Sequence, residues 1–197
     1  MSTATATTKE RILAAAEDLM LAKSFHSVGL NEILSAVQVP KGSFYHYFPS
    51  KEQFGVELIR HYVADATAYK RKLLLSEDLE PNPLERLMAY LHGNISKMLE
   101  NQCQPGCLVL KLASEVATMS ADMRSELADG MRDWCGVFEK VVREGQKKGV
   151  MRADLDPEAT GALIHDYLLG ATQRMMVERK VGALRTTIAF LRKHLAA

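Results

Sequence analysis

Long apolar runs are missing from this 197-residue chain, and none approaches the roughly 18 residues that a membrane-spanning helix needs. The N-terminus, MSTATATT, lacks the basic-then-apolar layout of a secretory leader, so the expected location is the cytoplasm. Its first eight residues are small and polar with no core signal and are expected to fray. Cysteine is scarce: there are three, an odd count that makes no disulfide framework in a reducing compartment. A net charge of only +1 argues against a surface coated with basic charge, but a local basic face is still allowed. There is no glycine-rich phosphate loop, no low-complexity block and no repeat of 20 to 50 residues. No H-E-x-x-H and no carboxylate cluster occur either. What is present is 47% apolar and 25% charged residues, an ordinary globular mixture.

Helical periodicity dominates, and no convincing strand alternation competes with it. Thr7 and Glu10 have capping-box spacing, and Ile12, Ala16, Leu19 and Met20 make one apolar face of a first helix. Leu30, Ile33, Leu34 and Val37 mark a short second helix, ended by Pro40. Lys41 to Tyr47 make a short third helix. Ser50 and Gln53 repeat the cap spacing at the start of a long helix from Lys51 to about Leu75. Further helices are expected from Leu84 to about Glu100, Leu108 to about Thr118, Ser120 to Gly149, a start at Pro157 capped by Asp156 to about Arg179, and Gly182 to His194. The expected fold is all-α, three short helices followed by six longer ones.

Two short helices joined by a tight turn and braced by a first helix form a helix-turn-helix pattern. The stretch VPKGSFYHYFPSKEQF, residues 39–54, is more specific. With Phe25, Leu30 and Ile33 ahead of it, it resembles the N-terminal domain of the TetR family of bacterial transcriptional regulators. The resemblance covers the first 55 or so residues by motif and the whole chain by length and helix count. It implies a helix-turn-helix domain over 1–50 and an effector-binding and dimerisation domain over 51–197. It implies double-stranded operator DNA as partner, read as a palindrome by a homodimer; the lack of a long apolar run predicts no membrane partner, and no cofactor is expected.

The bases and phosphates would be met by Lys41, Gly42, Ser43, Tyr45, His46 and Lys51. Gly42 lets backbone approach the duplex, Tyr45 and His46 suit phosphate oxygens, and Lys51 stands at a helix N-terminus. Phe44 and Phe48 should face inward onto Ile12, Leu19 and Ile33, and Tyr47 should be a half-buried edge residue with a wet tip. Three positions depart from the family's habit. Ser24 and Gln38 stand where glycine is usual, and Gly29 stands where serine or threonine is. Gln38 must therefore adopt whatever left-handed conformation the turn demands.

In the second half, CQPGCLVLKLASEV is the most informative stretch. Cys107 precedes a short helix, whose unpaired amides favour a thiolate, and Lys111 lies one turn on. The segment resembles that of electrophile- and quinone-sensing, NemR-like members of the family, in which a lysine of the penultimate helix can pair with the modified sulfur. The aligned position here carries Met176. Cys103 could resolve an oxidised Cys107 or simply close a loop, and Cys107 itself could be a small buried apolar residue. Cys135, beside Trp134, reads as a packing residue. Tyr167, Met175 and Met176, with Phe138, could line an effector cavity or be plain core.

Gly170 and Ala171 are small enough for close helix approach at a dimer interface. Cys103 and Cys107 have no histidine or second cysteine pair at zinc-site spacing, so no metal is expected. His92 and His165 stand alone. Two other readings stay open: an all-helical enzyme with Cys107 as nucleophile, and a DNA-binding protein that answers to no effector.

Overall fold

The computed structural model describes residues 7–104 and 106–197. Among these the chain is all-α: α1 Thr8–Ala22, α2 Leu30–Val37, α3 Lys41–Tyr47, α4 Lys51–Leu74, α5 Pro83–Glu100, α6 Leu108–Val116, α7 Ala121–Lys147, α8 Pro157–Glu178 and α9 Gly182–Leu195. The fraying expected of the first eight residues falls partly on 1–6, outside those described. Thr7 and Thr8 are instead fixed. The Thr7 hydroxyl accepts from the Glu10 N–H and the Glu10 carboxylate accepts from the Thr7 N–H, closing the capping box. Asp156 caps α8 through the Glu158 N–H at 2.9 Å, with Pro157 at the first helical position.

The chain divides into two compact units. One holds the residues up to Ala64 together with Cys107–Ala128, and the other holds Asp65–Gly106 with Asp129–Ala197. Helices α4 and α7 each run from one unit into the other.

The first unit is built around α1. Ile12, Leu13, Ala16 and Met20 are buried along one face. Leu19, expected on that face, is only half-buried, because the stripe turns towards Met20. Against it lie Ile33, Leu34 and Val37 of α2 and the rings of Phe44, Phe48 and Phe54, all buried. The three phenylalanines pack on one another, with centroids 5.0 to 5.3 Å apart, which locks the tilt of α3 against the start of α4. The Arg11 guanidinium donates to the Val37 carbonyl at 2.8 Å and so satisfies an end group of α2 that the helix leaves unpaired.

The second unit packs α5, α8 and α9 with the later parts of α4 and α7. Its core includes Leu87, Leu91, Phe138, Val141, Ile164, Met175, Ile188 and Leu191. Arg86 is 2% exposed. Its guanidinium donates to the Leu74 carbonyl at 2.6 Å, the Glu80 carbonyl at 2.7 Å and the Glu144 carboxylate, so one buried cation ties three segments together. Helices α7 and α8 meet at Gly161, where an added Cβ would lie 2.7 Å from the Glu139 backbone nitrogen. Gly170, the small residue singled out from the sequence, is exposed and has nothing within 4 Å of where a Cβ would stand. Trp134 is buried, its indole N–H on the Thr67 hydroxyl at 2.9 Å and the Lys70 ammonium 3.6 Å from its ring.

Candidate DNA-binding interface and thiol site

The helix-turn-helix is held from behind and open in front. Phe44 and Phe48 are 1% and 0% exposed, while Lys41, Gly42, Tyr45 and His46 on the same short helix are exposed and Ser43 is half-buried. Open space surrounds the Gly42 α-carbon. The aromatic side chains of this stretch therefore divide by face: Phe44, Phe48 and Phe54 make the floor, Tyr45 faces solvent at 54% exposure, and Tyr47 sits half-buried at the edge. The turn before α3 is made by Gln38, with φ 55° and ψ 42°. In front of it lies a shallow open hollow lined by Asn31, Leu34, Ser35, Gln38, Val39, Pro40 and Lys41. Gly29, at the N-cap of α2, supplies no side-chain cap.

Lys51 is placed differently from a free phosphate ligand. Its ammonium lies 3.2 Å from the Val28 carbonyl and 3.4 Å from that of His26, over the Phe25 ring at 5.2 Å. It braces the loop between α1 and α2 as well as standing at the start of α4.

The thiol site belongs to the same compact unit. Cys107 is the N-cap residue of α6 and is half-buried. Tyr62 of α4 meets it: burial first, then the Cys107 sulfur beside it, push the phenol's pKa up, with a hydroxyl–thiol hydrogen bond adding to the rise and the Leu108 backbone amide opposing it. Tyr62 is one residue of the long fourth helix. The sequence holds no local sign of its pairing with a residue 45 positions on.

Helix α6 is strapped to the helix-turn-helix at both ends of its middle turn. The Lys111 ammonium donates to the Leu21 carbonyl at 2.6 Å, and the Glu115 carboxylate accepts from the Phe25 N–H at 2.7 Å. Lys111 thus closes the end of α1.

The other expected effector residues have separate surroundings. Cys103 is buried, with a left-handed φ of 56°, and its carbonyl accepts from Arg179 at 3.2 Å. Met175 is sealed in the core, whereas Tyr167 lies on the outer face of α8, its ring 5.6 Å from that of Phe190. Cys135 is half-buried, and burial, seconded by Asp166, raises its thiol pKa. His165 is buried beside the Asp166 carboxylate at 3.3 Å, and His92 is exposed. Among the described residues no group of three or more histidine, cysteine or acidic side chains could hold a metal ion, and no helix is long and apolar enough to cross a membrane.

A short exposed helix presented on an aromatic floor, following a second short helix and a tight turn, defines a helix-turn-helix regulator of transcription. Residues 12–58 match the model described as bacterial regulatory proteins, tetR family, and residues 83–191 match the tetracyclin repressor-like C-terminal domain. The chain belongs to the TetR family.

Among its relatives is the HTH-type transcriptional repressor NemR of Escherichia coli, 33% identical over 96% of this chain and 94% of that protein. Another is the transcriptional regulator AcuR of Cereibacter sphaeroides, 33% identical over 87% of this chain and 78% of that one. The crystal structure of reduced E. coli NemR superposes with a TM-score of 0.88 at 31% identity, covering 97% and 98% of the two chains. That of a regulatory protein TetR from Rhodobacter sphaeroides gives 0.85 at 31%, covering 94% and 97%.

Proposed function

We propose that this protein is a dimeric repressor that holds a palindromic operator and lets go when an electrophile or oxidant reaches Cys107. The functional division runs near residue 50, with DNA reading in 1–50 and effector response and pairing in 51–197. The observation that carries the reading is the continuity of the thiol site with the reading head. Cys107 begins α6, and α6 is hydrogen-bonded to Leu21 and Phe25, which lead into α2.

Lys41, Ser43 and the Gly42 backbone face the bases or nearby phosphates, with Tyr45, His46 and the start of α4 at Lys51 on phosphate oxygens. Few cations gather there, so one copy neutralises few phosphates and binds weakly. Two copies, with α3 helices about 34–36 Å apart, gain affinity by acting together. The pairing surface is the outer side of α8 and α9. There Leu163, Tyr167, Val177 and Phe190 are 44% to 82% exposed, more apolar area than a solvent face needs.

In the sensing step an activated alkene or quinone adds to Cys107. The S–C bond forms at the expense of the carbon–carbon π bond, and the thiol proton ends on the neighbouring carbon. The adduct's bulk at the N-terminus of α6 displaces Tyr62 and shifts Lys111 and Glu115 against α1. The conformation then favoured no longer matches successive major grooves. Cys103 resolves an oxidised Cys107 where the signal is an oxidant, and Tyr167 and Met175 contribute to the effector-responsive body. Such a repressor works at the chromosome, in the cytoplasm.

The test is a fluorescence-anisotropy titration on the DNA upstream of the protein's own gene, with and without N-ethylmaleimide. Wild type should bind with a steep salt dependence and be released by the reagent. Cys107→Ser should bind equally well and stay bound. Release of the serine variant to the same extent would refute sensing at Cys107.

A further inference from the structure

Gln38 closes α2 with a left-handed backbone, φ 55° and ψ 42°. Any residue with a Cβ is strained there, and glycine is not. The backbone has a clear reason for the conformation, since the Gln38 N–H reaches the Leu34 and Ser35 carbonyls. Nothing among the described residues gives a reason for the glutamine. Its side chain is exposed, and among the described residues it has no hydrogen-bond partner.

Other left-handed residues differ. Arg179 has φ 55°, but its guanidinium holds the Cys103 carbonyl at 3.2 Å. Gln102 and Cys103 share one turn; the Cys103 side chain fills core, and Gln102, though exposed like Gln38, belongs to the other unit and not to the helix-turn-helix. Gln38 alone among the four combines the strain with a place on the open hollow beside the reading helix, flanked by Asn31, Ser35 and Lys41. A strained backbone kept for an unpartnered polar side chain points to a partner outside the chain.

We infer that Gln38 is a sequence-reading residue, its carboxamide engaging the major-groove edge of an adenine in each half-site. The carboxamide carries one acceptor and one N–H donor side by side, complementary to the N6 donor and N7 acceptor of adenine. The inference rests on α3 being the reading helix.

The experiment compares wild type, Gln38→Gly and Lys41→Ala on the footprinted operator and on a scrambled duplex of equal length, alongside thermal melts. Gln38→Gly should melt a few degrees higher, because glycine relieves the turn. It should bind the operator about tenfold more weakly with its affinity for the scrambled duplex unchanged.

Undiminished operator affinity in Gln38→Gly would overturn the assignment. So would an equal loss on both duplexes, which is what a phosphate contact gives. A wild-type protein with no preference for the operator, or a Lys41→Ala variant that binds it undiminished, would overturn the underlying reading of α3. The two failures are therefore told apart by which variant departs from expectation.

Discussion

Gly161 offers the sharpest test of the packing. Replacing it with alanine puts a Cβ 2.7 Å from the Glu139 nitrogen, 2.8 Å from the Cys135 carbonyl oxygen and 3.0 Å from the Glu139 α-carbon. Ordinary contact begins at 3.4 Å, and every one of these neighbours is backbone of α7, which cannot swing aside as a side-chain tip can. Helix α8 must move off bodily, at an overpacking cost of about 2–3 kcal/mol. Alanine returns about 1 kcal/mol through its better helix propensity. The net loss is about 1–2 kcal/mol, or a melting point lower by about 3–6 °C for a chain of this size.

Gly93 is the internal control. It lies within α5, is exposed and has open space around the Cβ position, so Gly93→Ala should raise the melting point by about 2 °C. Circular dichroism melts of both variants decide the matter. A Gly161→Ala protein as stable as wild type would mean that α7 and α8 do not approach as described.

Two further substitutions probe single residues. Arg86→Met should cost about 3–4 kcal/mol in urea unfolding, because the Leu74 and Glu80 carbonyls and the Glu144 carboxylate lose a shared buried cation; a loss below about 1 kcal/mol would show the cation to be dispensable. Tyr62→Phe removes the hydroxyl that faces Cys107 and should slow alkylation of that thiol by N-ethylmaleimide about fivefold, as expected for loss of one hydrogen bond to the sulfur, read residue by residue in a mass-spectrometric time course; an unchanged rate would sever the link between the two side chains.

The helices were legible because their signals are local. The Thr7–Glu10 box, the limits of α3 at Lys41 and Tyr47 and the left-handed turn at Gln38 all follow from residues within a few positions of one another. The inward set of Phe44 and Phe48 was legible too, since their spacing puts both on one face.

What escaped the sequence is long-range. Lys51 read as a phosphate ligand and Lys111 as a neighbour of the Cys107 thiol; the structure adds contacts to backbone carbonyls far away in the chain, at His26 and Val28 for Lys51 and at Leu21 for Lys111. Tyr62 gave no sign of its thiol partner. Gly161 looked like any helical glycine, because composition reports small residues without reporting which of them faces a neighbour. The grouping of 107–128 with the first 64 residues is likewise a property of the folded chain alone, since no composition shift marks it.

Trp134 is the single tryptophan of the chain, and it is buried in the second unit with Thr67 on its indole nitrogen and Lys70 across its face. Tryptophan-selective fluorescence therefore reports on the core of that unit, whereas dichroism follows the helices of both. A difference between the fluorescence and dichroism transitions would measure directly how far the two units melt as one.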